Sequence, residues 1–236
     1  MDVSVILPTY NECDNIADLI DALADSLEPF GWQSEIVVVD DNSPDGTAAV
    51  VEGCCRKRED VSVRCLVRTS ERGLATAIKH GILNSTGESI VVMDTDFNHD
   101  PLIIPRMVQL LAYYDLVIGS RYVVGGGMED GKRYIYSLVY NTFVKIVLWH
   151  KIQDNLSGFF AMRRSALAPL DLAAIFRGYG EYFIRLNYAA LHHSYTVLEI
   201  PVFYKLRPHG SSKSNFTKMI RDYTLCAFQT RFGRSI

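Results

Sequence analysis

The stretch SIVVMDTDFNHDP, residues 89–101, decides the fold class of this chain. Residues 89–93 form a short, mostly apolar run rich in β-branched side chains, which is typical of a strand buried on both faces of a sheet. The run ends abruptly at Asp94, and a second carboxylate follows at Asp96. Two carboxylates at the end of a buried strand repel each other and lose solvation, so a bound cation would stabilise them.

The ligand chemistry of this stretch indicates a hard divalent cation. Asp94, Asp96 and Asn98 offer carboxylate and amide oxygens, which suit Mg²⁺ or Mn²⁺ and not Zn²⁺. Such an ion keeps bound waters and takes its remaining ligands from substrate phosphates. A structural alternative stays open, in which Asp94 and Asp96 cap the helix that Pro101 begins.

Composition bounds the class of protein. The chain has 236 residues, 48% of them hydrophobic, which suffices for one large α/β domain or two small ones. The net charge of −3 gives no basic field, so nucleic acid is not an expected partner. The five cysteines form no Cys-x-x-Cys pair, which favours a reduced, cytosolic setting without structural zinc. We expect no signal peptide and no membrane-spanning helix, because the N-terminus lacks a basic region and no apolar run is long enough.

Apolar strands alternate with amphipathic helices along the first half of the chain. Strands are predicted over residues 3–7, 35–39, 61–67, 89–93 and 116–119. This alternation predicts βαβ units and a mostly parallel sheet, in which ligands bind outside the carboxyl ends of the strands. Polar clusters follow the first four strands, at residues 9–12, 40–45, 68–72 and 94–98. We therefore expect a ligand site at this edge of the sheet, although such loops can be polar without one.

Phosphate-binding glycine motifs are missing from the sequence. No G-x-G-x-x-G follows the first strand, and no G-x-x-x-x-G-K-[ST] occurs anywhere. Phosphates at this edge would therefore be held by a metal ion and basic side chains.

Several motifs occur in a familiar order: PTYNE (8–12), VDDNSPDGT (39–47), RGLATA (72–77), MDTDFNHDP (93–101), GSRY (119–122) and, after Asp154, SGFFAMRR (157–164). This combination resembles the dolichyl-phosphate mannose synthase group of family 2 glycosyltransferases, over residues 3–213. The resemblance implies an α/β GT-A fold, with a Rossmann-like, mostly parallel sheet, flanking helices and peripheral amphipathic helices. It implies one domain over residues 1–236, with a nucleotide-sugar-binding half (1–122) and an acceptor half (123–236).

The resemblance also implies ligands and residue roles. The donor is a nucleotide sugar, the cofactor Mg²⁺ or Mn²⁺, and the acceptor a polyprenyl or dolichyl phosphate. The implied donor-binding residues are Pro8, Tyr10, Glu12, Asp40, Asp41, Asp94 and Lys213. The implied metal ligands are Asp94, Asp96 and Asn98, and the family commonly has Gln in place of Asn98. The acceptor phosphate would be bound by Arg121, Arg133, Ser137 and Arg207, and the catalytic residues would be Asp96, Asp154 and Arg121.

The expected reaction is a single in-line displacement with inversion at the anomeric carbon. A phosphate monoester has a second pKa of about 6, so it carries a nucleophilic oxyanion at neutral pH. A strong general base is then less necessary than charge neutralisation by a metal and arginines. We interpret Asp154 as orienting the donor, the acceptor or an arginine, with base catalysis as its second possible role.

Two helical segments in the acceptor half are candidates for contact with a membrane surface. Residues 133–150 are rich in aromatic and apolar side chains, which fits either a core helix or a helix at the membrane interface. Residues 216–232 are amphipathic and allow the same two interpretations. We expect a peripheral protein on the cytoplasmic face of a membrane, with a membrane-protein partner as a possibility.

The sequence leaves the exact substrates open. GDP-mannose is the expected donor, and the alternatives are a UDP-linked glucose or amino sugar, or a glycan hydroxyl as the acceptor. A non-enzyme alternative is an inactive regulatory subunit that binds a nucleotide sugar.

Overall fold

A seven-stranded sheet forms the centre of the protein, in a computed structural model that describes residues 2–57, 61–205 and 216–233. In chain order its strands are β1 (Val3–Thr9), β2 (Ser34–Asp40), β3 (Ser62–Val67), β4 (Ser89–Val92), β5 (Leu116–Ser120), β7 (Phe160–Arg163) and β8 (Val197–Pro201). Two short strands, β6 (Gly127–Met128) and β9 (Phe203–Tyr204), pair in a second sheet. The five strands predicted from the sequence are confirmed, each to within about two residues at its ends.

The strand order of the large sheet is β3-β2-β1-β4-β7-β5-β8. The neighbours β1–β2, β2–β3, β1–β4 and β5–β8 are parallel, and β7 runs antiparallel between β4 and β5. The sheet is thus mostly parallel, as expected. Because β7 and β8 belong to residues 123–236, the two predicted halves of the chain contribute to one sheet.

Helices cover both faces of this sheet. They are α1 (Ile16–Leu27), α2 (Thr47–Lys57), α3 (Leu74–Leu83), α4 (Ile104–Leu110), α5 (Gly131–Leu148), α6 (Arg164–Leu167), α7 (Leu172–Ile175), α8 (Tyr182–His192) and α9 (Phe216–Phe232). Val5 and Leu7 of β1 pack into the core with α1, whereas Ile6 packs into the opposite core with α3 and α8. Every residue of β1 and β2 is buried, as a strand covered on both faces requires.

A third apolar cluster joins α5 and α9 to the body of the protein. Val144 of α5 and Ala227 of α9 are fully buried in it, together with Ile184 of α8. The hydroxyl of Tyr140 donates to the carbonyl of Ile220 at 3.0 Å and fixes the two helices to each other. Both helices therefore have one packed face.

The buried carboxylate of Glu35 makes the stability of this fold sensitive to acid. Glu35 accepts hydrogen bonds from the Ser4 hydroxyl (2.7 Å), the Thr86 N–H (2.5 Å) and Arg64 (2.5 Å). Burial alone would raise the pKa of Glu35, but these donors lower it to about 2. The folded-state pKa lies below the unfolded value, so the stabilisation is complete above about pH 4.5 and is lost as the pH falls toward 2.

We expect Glu35→Gln to lower the free energy of unfolding at pH 7 by about 2 kcal/mol. The difference between wild type and Glu35→Gln should shrink steadily between pH 4.5 and pH 2, because the wild-type carboxylate loses its charge there. Urea unfolding across this pH range measures both effects, with the exposed Glu28→Gln as the control. A difference that does not change with pH would contradict this account.

Candidate active site

The loops after β1, β2 and β4 meet at the carboxyl edge of the sheet and surround a cleft of about 380 Å³. We call this space the acidic cleft. It is lined by Pro8, Thr9, Tyr10, Glu12, Asp41, Arg72, Gly73, Leu74, Ala77, Asp94, Thr95, Asp96 and Tyr179. The structure therefore brings together most of the predicted donor-binding residues and both predicted metal-binding carboxylates.

Three residues with left-handed backbone conformation shape this edge of the sheet. Asn11, Asn42 and Phe97 have φ angles of +57°, +55° and +59°, and they lie in the loops that follow β1, β2 and β4. Asparagine tolerates this left-handed conformation, but for a bulky residue such as Phe97 it is unusual. Strained backbone of this kind concentrates at functional sites, where the surrounding contacts hold it in place.

Asp40 lies under the acidic cleft and is not one of the residues that line it. Its side chain is fully buried and accepts hydrogen bonds from the Ser43 N–H at 2.9 Å and from the Ser43 hydroxyl. The hydroxyl oxygen of Ser43 in turn accepts the Asn11 N–H at 2.9 Å. Asp40 was predicted to bind the donor, but here it ties the loop after β1 to the loop after β2.

Asp41 faces the acidic cleft, and its two oxygens are held by the protein. Arg68 donates to one oxygen through Nε at 2.7 Å, and the Gly73 N–H donates to the other at 2.7 Å. Gly73 has a φ of +142°, which a residue with a side chain rarely adopts. This contact places the N-terminus of α3 at the cleft, where its free N–H groups favour an anion.

The turn from Asp94 to Asn98 presents its two carboxylates differently. The Asp94 side chain is 44% exposed, whereas Asp96 is only 6% exposed. Asp96 accepts the Asn98 N–H at 3.1 Å and the Asn98 side-chain amide at 2.9 Å. The amide nitrogen of Asn98 orients Asp96, and the role of Asn98 as a metal ligand stays a prediction.

The helix-capping alternative for Asp94 and Asp96 does not match the structure. The short helix that Pro101 begins is capped by Asp100, which accepts the Leu102 N–H at 3.0 Å. Asp94 and Asp96 therefore line the acidic cleft and do not cap the short helix that Pro101 begins.

The charges of the acidic cleft suit a divalent cation. Four carboxylates and one guanidinium, that of Arg72, are among its described lining residues. Arg68 neutralises Asp41, which leaves Glu12, Asp94 and Asp96 against Arg72. Across the described ranges, no cluster of three or more His, Cys, Asp or Glu side chains is assembled as a metal cage. Mg²⁺ commonly binds through one or two carboxylates with phosphates and waters, so Asp94 and Asp96 fit such an ion.

Arg121 and Asp154 form a buried ion pair beyond the cleft. Nε of Arg121 donates to one Asp154 oxygen at 2.8 Å and Nη2 to the other at 2.7 Å. Arg121 is 5% exposed, Asp154 is fully buried, and the guanidinium also lies over the ring of Tyr204 at 4.7 Å. Burial opposes the charge of Arg121, but the Asp154 carboxylate keeps the pKa of Arg121 raised. Arg121 forms this bidentate contact through Nε and Nη2, and its binding of the acceptor phosphate stays a prediction.

Two of the remaining predicted acceptor residues, Arg133 and Ser137, lie at the start of α5. Asp130 caps this helix by accepting the Arg133 N–H at 3.0 Å, and the Arg133 side chain is exposed. Ser137 follows one turn later, and the rings of Tyr122 and Tyr134 pack 5.3 Å apart beside it. Arg207 and Lys213 lie outside the residues that the structure describes.

One face of α5 is apolar and open to solvent. Ile135, Val139 and Ile146 are 61%, 65% and 64% exposed, and Trp149 at the end of the helix is 82% exposed. Their spacings of four, seven and three residues place them along one stripe. The helix thus has a packed face toward α9 and an exposed apolar face, and its contact with a membrane stays a prediction. None of the helices in the described part of the chain has the length and hydropathy to cross a bilayer.

Tyr179 is a residue of the cleft that the sequence did not indicate. It lies between two glycines in the connection from α7 to α8, and its N–H donates to Glu181 at 3.0 Å. Arg185 of α8 supports this connection from below, because its guanidinium donates to the carbonyl of Ile175 at 2.9 Å and to that of Arg177. No local motif marks Tyr179, since its place in the cleft depends on the packing of α8.

Fold and site together define a protein of the GT-A class, with a mostly parallel, Rossmann-like sheet and a carboxylate-lined cleft at its carboxyl edge. The chain belongs to glycosyl transferase family 2, whose sequence profile matches residues 4–170. The fold is also similar to a crystal structure of glucosyl-3-phosphoglycerate synthase from Mycobacterium tuberculosis with Mn²⁺, uridine diphosphate and phosphoglyceric acid. That likeness has a TM-score of 0.75 at 20% identity and covers 99% of this chain and 80% of the other.

Two relatives confirm the resemblance inferred from the motifs. The chain is 36% identical over 219 residues to the dolichol-phosphate mannosyltransferase of Pyrococcus furiosus, covering 90% of this chain and 59% of that protein. It is 35% identical over 216 residues to the polyprenol monophosphomannose synthase of Mycolicibacterium smegmatis, covering 89% of this chain and 79% of that protein. The chain therefore spans less than two thirds of the Pyrococcus furiosus relative.

Proposed function

We propose that this protein is an inverting glycosyltransferase that moves mannose from GDP-mannose to a polyprenyl or dolichyl phosphate. The observation that carries the proposal is the acidic cleft, in which Asp94 and Asp96 face the loops after β1 and β2. The names of the two relatives support a mannosyl donor and a polyprenyl acceptor.

Binding of the donor is assigned to the acidic cleft. The ring of Tyr10 lies under the guanidinium of Arg72 at 5.3 Å, which gives the nucleotide base a flat partner at the mouth of the cleft. Arg72 and the N-terminus of α3 attract the diphosphate. Mg²⁺ or Mn²⁺ bound by Asp94 and Asp96 would stabilise the negative charge of the departing diphosphate.

Binding of the acceptor is assigned to the start of α5. Arg133 and Ser137 are four residues apart and so lie on one side of the helix, where they can hold a phosphate headgroup. The phosphate oxyanion attacks the anomeric carbon, the bond to the nucleoside diphosphate breaks, and the configuration inverts. Because this oxyanion exists at neutral pH, Asp154 need not remove a proton. We propose that Asp154 acts by fixing Arg121 and the end of β5.

The test is a panel of nucleotide sugars incubated with Mn²⁺ and a polyprenyl phosphate, scored for lipid-linked product. We expect a β-mannosyl lipid from GDP-mannose, at a rate at least about tenfold above that from UDP-glucose or a UDP-amino sugar. Nuclear magnetic resonance of the product distinguishes the anomers. Donor binding without any lipid-linked product would contradict the proposal and favour an inactive binding subunit.

The exposed stripe of α5 is proposed to contact the membrane that holds the acceptor. We expect Val139→Asp with Ile146→Asp to weaken binding to lipid vesicles by at least about tenfold, because each buried aliphatic side chain contributes about 1.5 kcal/mol or more. The thermal midpoint should change little, since both side chains are exposed. Trp149 fluorescence in a Trp32→Phe background measures the binding.

The control for this experiment is Tyr113→Asp. Tyr113 is 78% exposed and precedes β5, so it lies at the opposite edge of the sheet. Vesicle binding should survive this change. Equal losses in the α5 variant and the Tyr113 variant would show that charge, and not the stripe, decides the binding.

A further inference from the structure

His99 is a fully buried imidazole directly beneath the Asp94–Asp96 turn, and the proposed reaction gives it no role. Its Nδ1 accepts the backbone N–H of Asp94 at 2.9 Å. Its ring stacks on Phe159, with centroids 4.7 Å apart and planes 10° from parallel. The ring is therefore fixed in position and in orientation.

The hydrogen bonds around His99 define which nitrogen carries its proton. A backbone N–H can only donate, so Nδ1 presents its lone pair to Asp94, and the neutral ring carries hydrogen on Nε2. Nε2 then donates to the Tyr204 hydroxyl at 2.8 Å, and that hydroxyl donates to the Ser157 carbonyl at 3.0 Å. All three hydrogen bonds run in one direction, from the Asp94 N–H to the Ser157 carbonyl.

This chain of hydrogen bonds connects two parts of the proposed site. Tyr204 belongs to β9, and its ring lies against the guanidinium of Arg121. The Ser157 hydroxyl donates to the carbonyl of Gly119 at the end of β5. His99 thus links the turn that carries the two carboxylates to the end of β5, after which Arg121 of the Arg121–Asp154 pair follows.

We infer that His99 is a positioning residue, which holds the Asp94 N–H and so directs the Asp94 and Asp96 carboxylates toward the cleft. The inference rests on the proposed function, because it assigns His99 a part in metal and donor binding. The turn needs such support, since Phe97 within it has a left-handed backbone. Because Tyr204 contacts both His99 and Arg121, it couples the position of this turn to that of the Arg121–Asp154 pair.

Three variants separate positioning from general stability. His99→Asn keeps an oxygen acceptor near the Nδ1 position, His99→Phe keeps a ring on Phe159 but has no acceptor, and Tyr204→Phe removes only the hydroxyl. We expect His99→Phe to raise the Mn²⁺ concentration for half-maximal GDP binding about tenfold, as loss of a hydrogen bond of about 1.4 kcal/mol implies. His99→Asn should restore binding to within about threefold of wild type, and Tyr204→Phe should fall between the two.

Calorimetric binding of Mn²⁺ with GDP gives this readout without a transfer assay, and thermal unfolding is measured for every variant. His150→Phe, a substitution of a histidine just beyond the end of α5, is the control. Nitrogen-15 spectra of the wild type should show His99 with hydrogen on Nε2. Wild-type Mn²⁺ dependence in His99→Phe would overturn the inference, as would equal losses in the Asn and Phe variants or a proton on Nδ1. If the wild type binds Mn²⁺ with GDP but transfers no sugar, the proposed function fails while the His99 inference is still tested.

Discussion

Replacing Asp96 by Ala is expected to lower sugar transfer by at least about a thousandfold, which corresponds to about 4 kcal/mol of transition-state stabilisation. Asp96 lies in the acidic cleft with Asp94, and the other charges there cannot replace it. Arg72 is the one described guanidinium that lines the cleft, and Glu12 adds negative charge. Without Asp96, a diphosphate would meet a weakened metal site and lose most of its charge compensation.

Asp96→Asn separates the loss of charge from the loss of structure. Asp96 accepts two hydrogen bonds from Asn98, and an asparagine oxygen can retain the one from the Asn98 N–H. We therefore expect Asp96→Asn to lose nearly as much activity as Asp96→Ala while it keeps a wild-type thermal midpoint. The Ala variant should lose about 1–2 kcal/mol of stability in addition.

The measurement is the transfer rate as a function of Mn²⁺ concentration, with and without EDTA. The matched control is Asp100→Asn, which changes a carboxylate four residues further on that caps a short helix. Its transfer rate should stay within a few-fold of wild type. Normal turnover by Asp96→Ala in the presence of EDTA would remove the metal ion from the proposal.

The sequence predicts the edge of the sheet well because local patterns encode it. Apolar runs identify β1, β2 and β4, and the polar cluster after each run marks the carboxyl end. The contact of Asp45 is equally local, since its side chain accepts the N–H of Thr47, the first residue of α2, at 3.0 Å. Burial alone would raise the pKa of Asp45, but hydrogen bonds from Thr47 and Cys13 lower it to about 2.

Other parts of the site depend on contacts that no local pattern contains. Strand β7 pairs antiparallel between β4 and β5, and its four residues carry no alternation that would reveal this. Asp40 and Asp41 are neighbours of the same chemistry. Asp40, the last residue of β2, accepts hydrogen bonds from Ser43, whereas Asp41, just after the strand, lines the cleft.

Local sequence patterns also do not predict the contact between Arg121 and Asp154. The family resemblance predicts a role for each residue, but it does not reveal that they bind each other across 33 positions. An isolated arginine after a strand fits a phosphate ligand equally well. Only the three-dimensional contact shows that this guanidinium already has a carboxylate partner. Replacing Arg121 should therefore affect the stability of the protein as well as its activity.

Removing one member of this buried pair is expected to cost stability and activity together. Asp154→Asn leaves the Arg121 cation buried without a counter-charge, and such losses amount to about 3–5 kcal/mol. Arg121→Met leaves a buried carboxylate in the same situation. We expect both single variants to unfold at lower urea concentration than wild type. We also expect them to transfer sugar at least about a hundredfold more slowly, which corresponds to about 2.7 kcal/mol of transition-state stabilisation.

The double variant Arg121→Met, Asp154→Leu distinguishes the structural part of this effect from the functional part. Replacing a buried ion pair with apolar side chains of similar volume is often neutral for stability, so the double variant should regain most of the lost unfolding free energy. Its activity should stay low, because an uncharged methionine side chain cannot hold Tyr204 and the end of β5 as the guanidinium does. Urea unfolding and transfer rates of the three variants complete the comparison.

The pH profile then decides between the two roles of Asp154. If Asp154 positions Arg121, the residual activity of Asp154→Asn should keep the wild-type dependence on pH, whose acid limb follows the second pKa of the phosphate acceptor at about 6. Arg121→Met should then lose as much activity as Asp154→Asn, and the losses should not add in the double variant. A general base would behave differently: Asp154→Asn would change the shape of the acid limb, and Arg121→Met, which retains the carboxylate, would keep most of the activity.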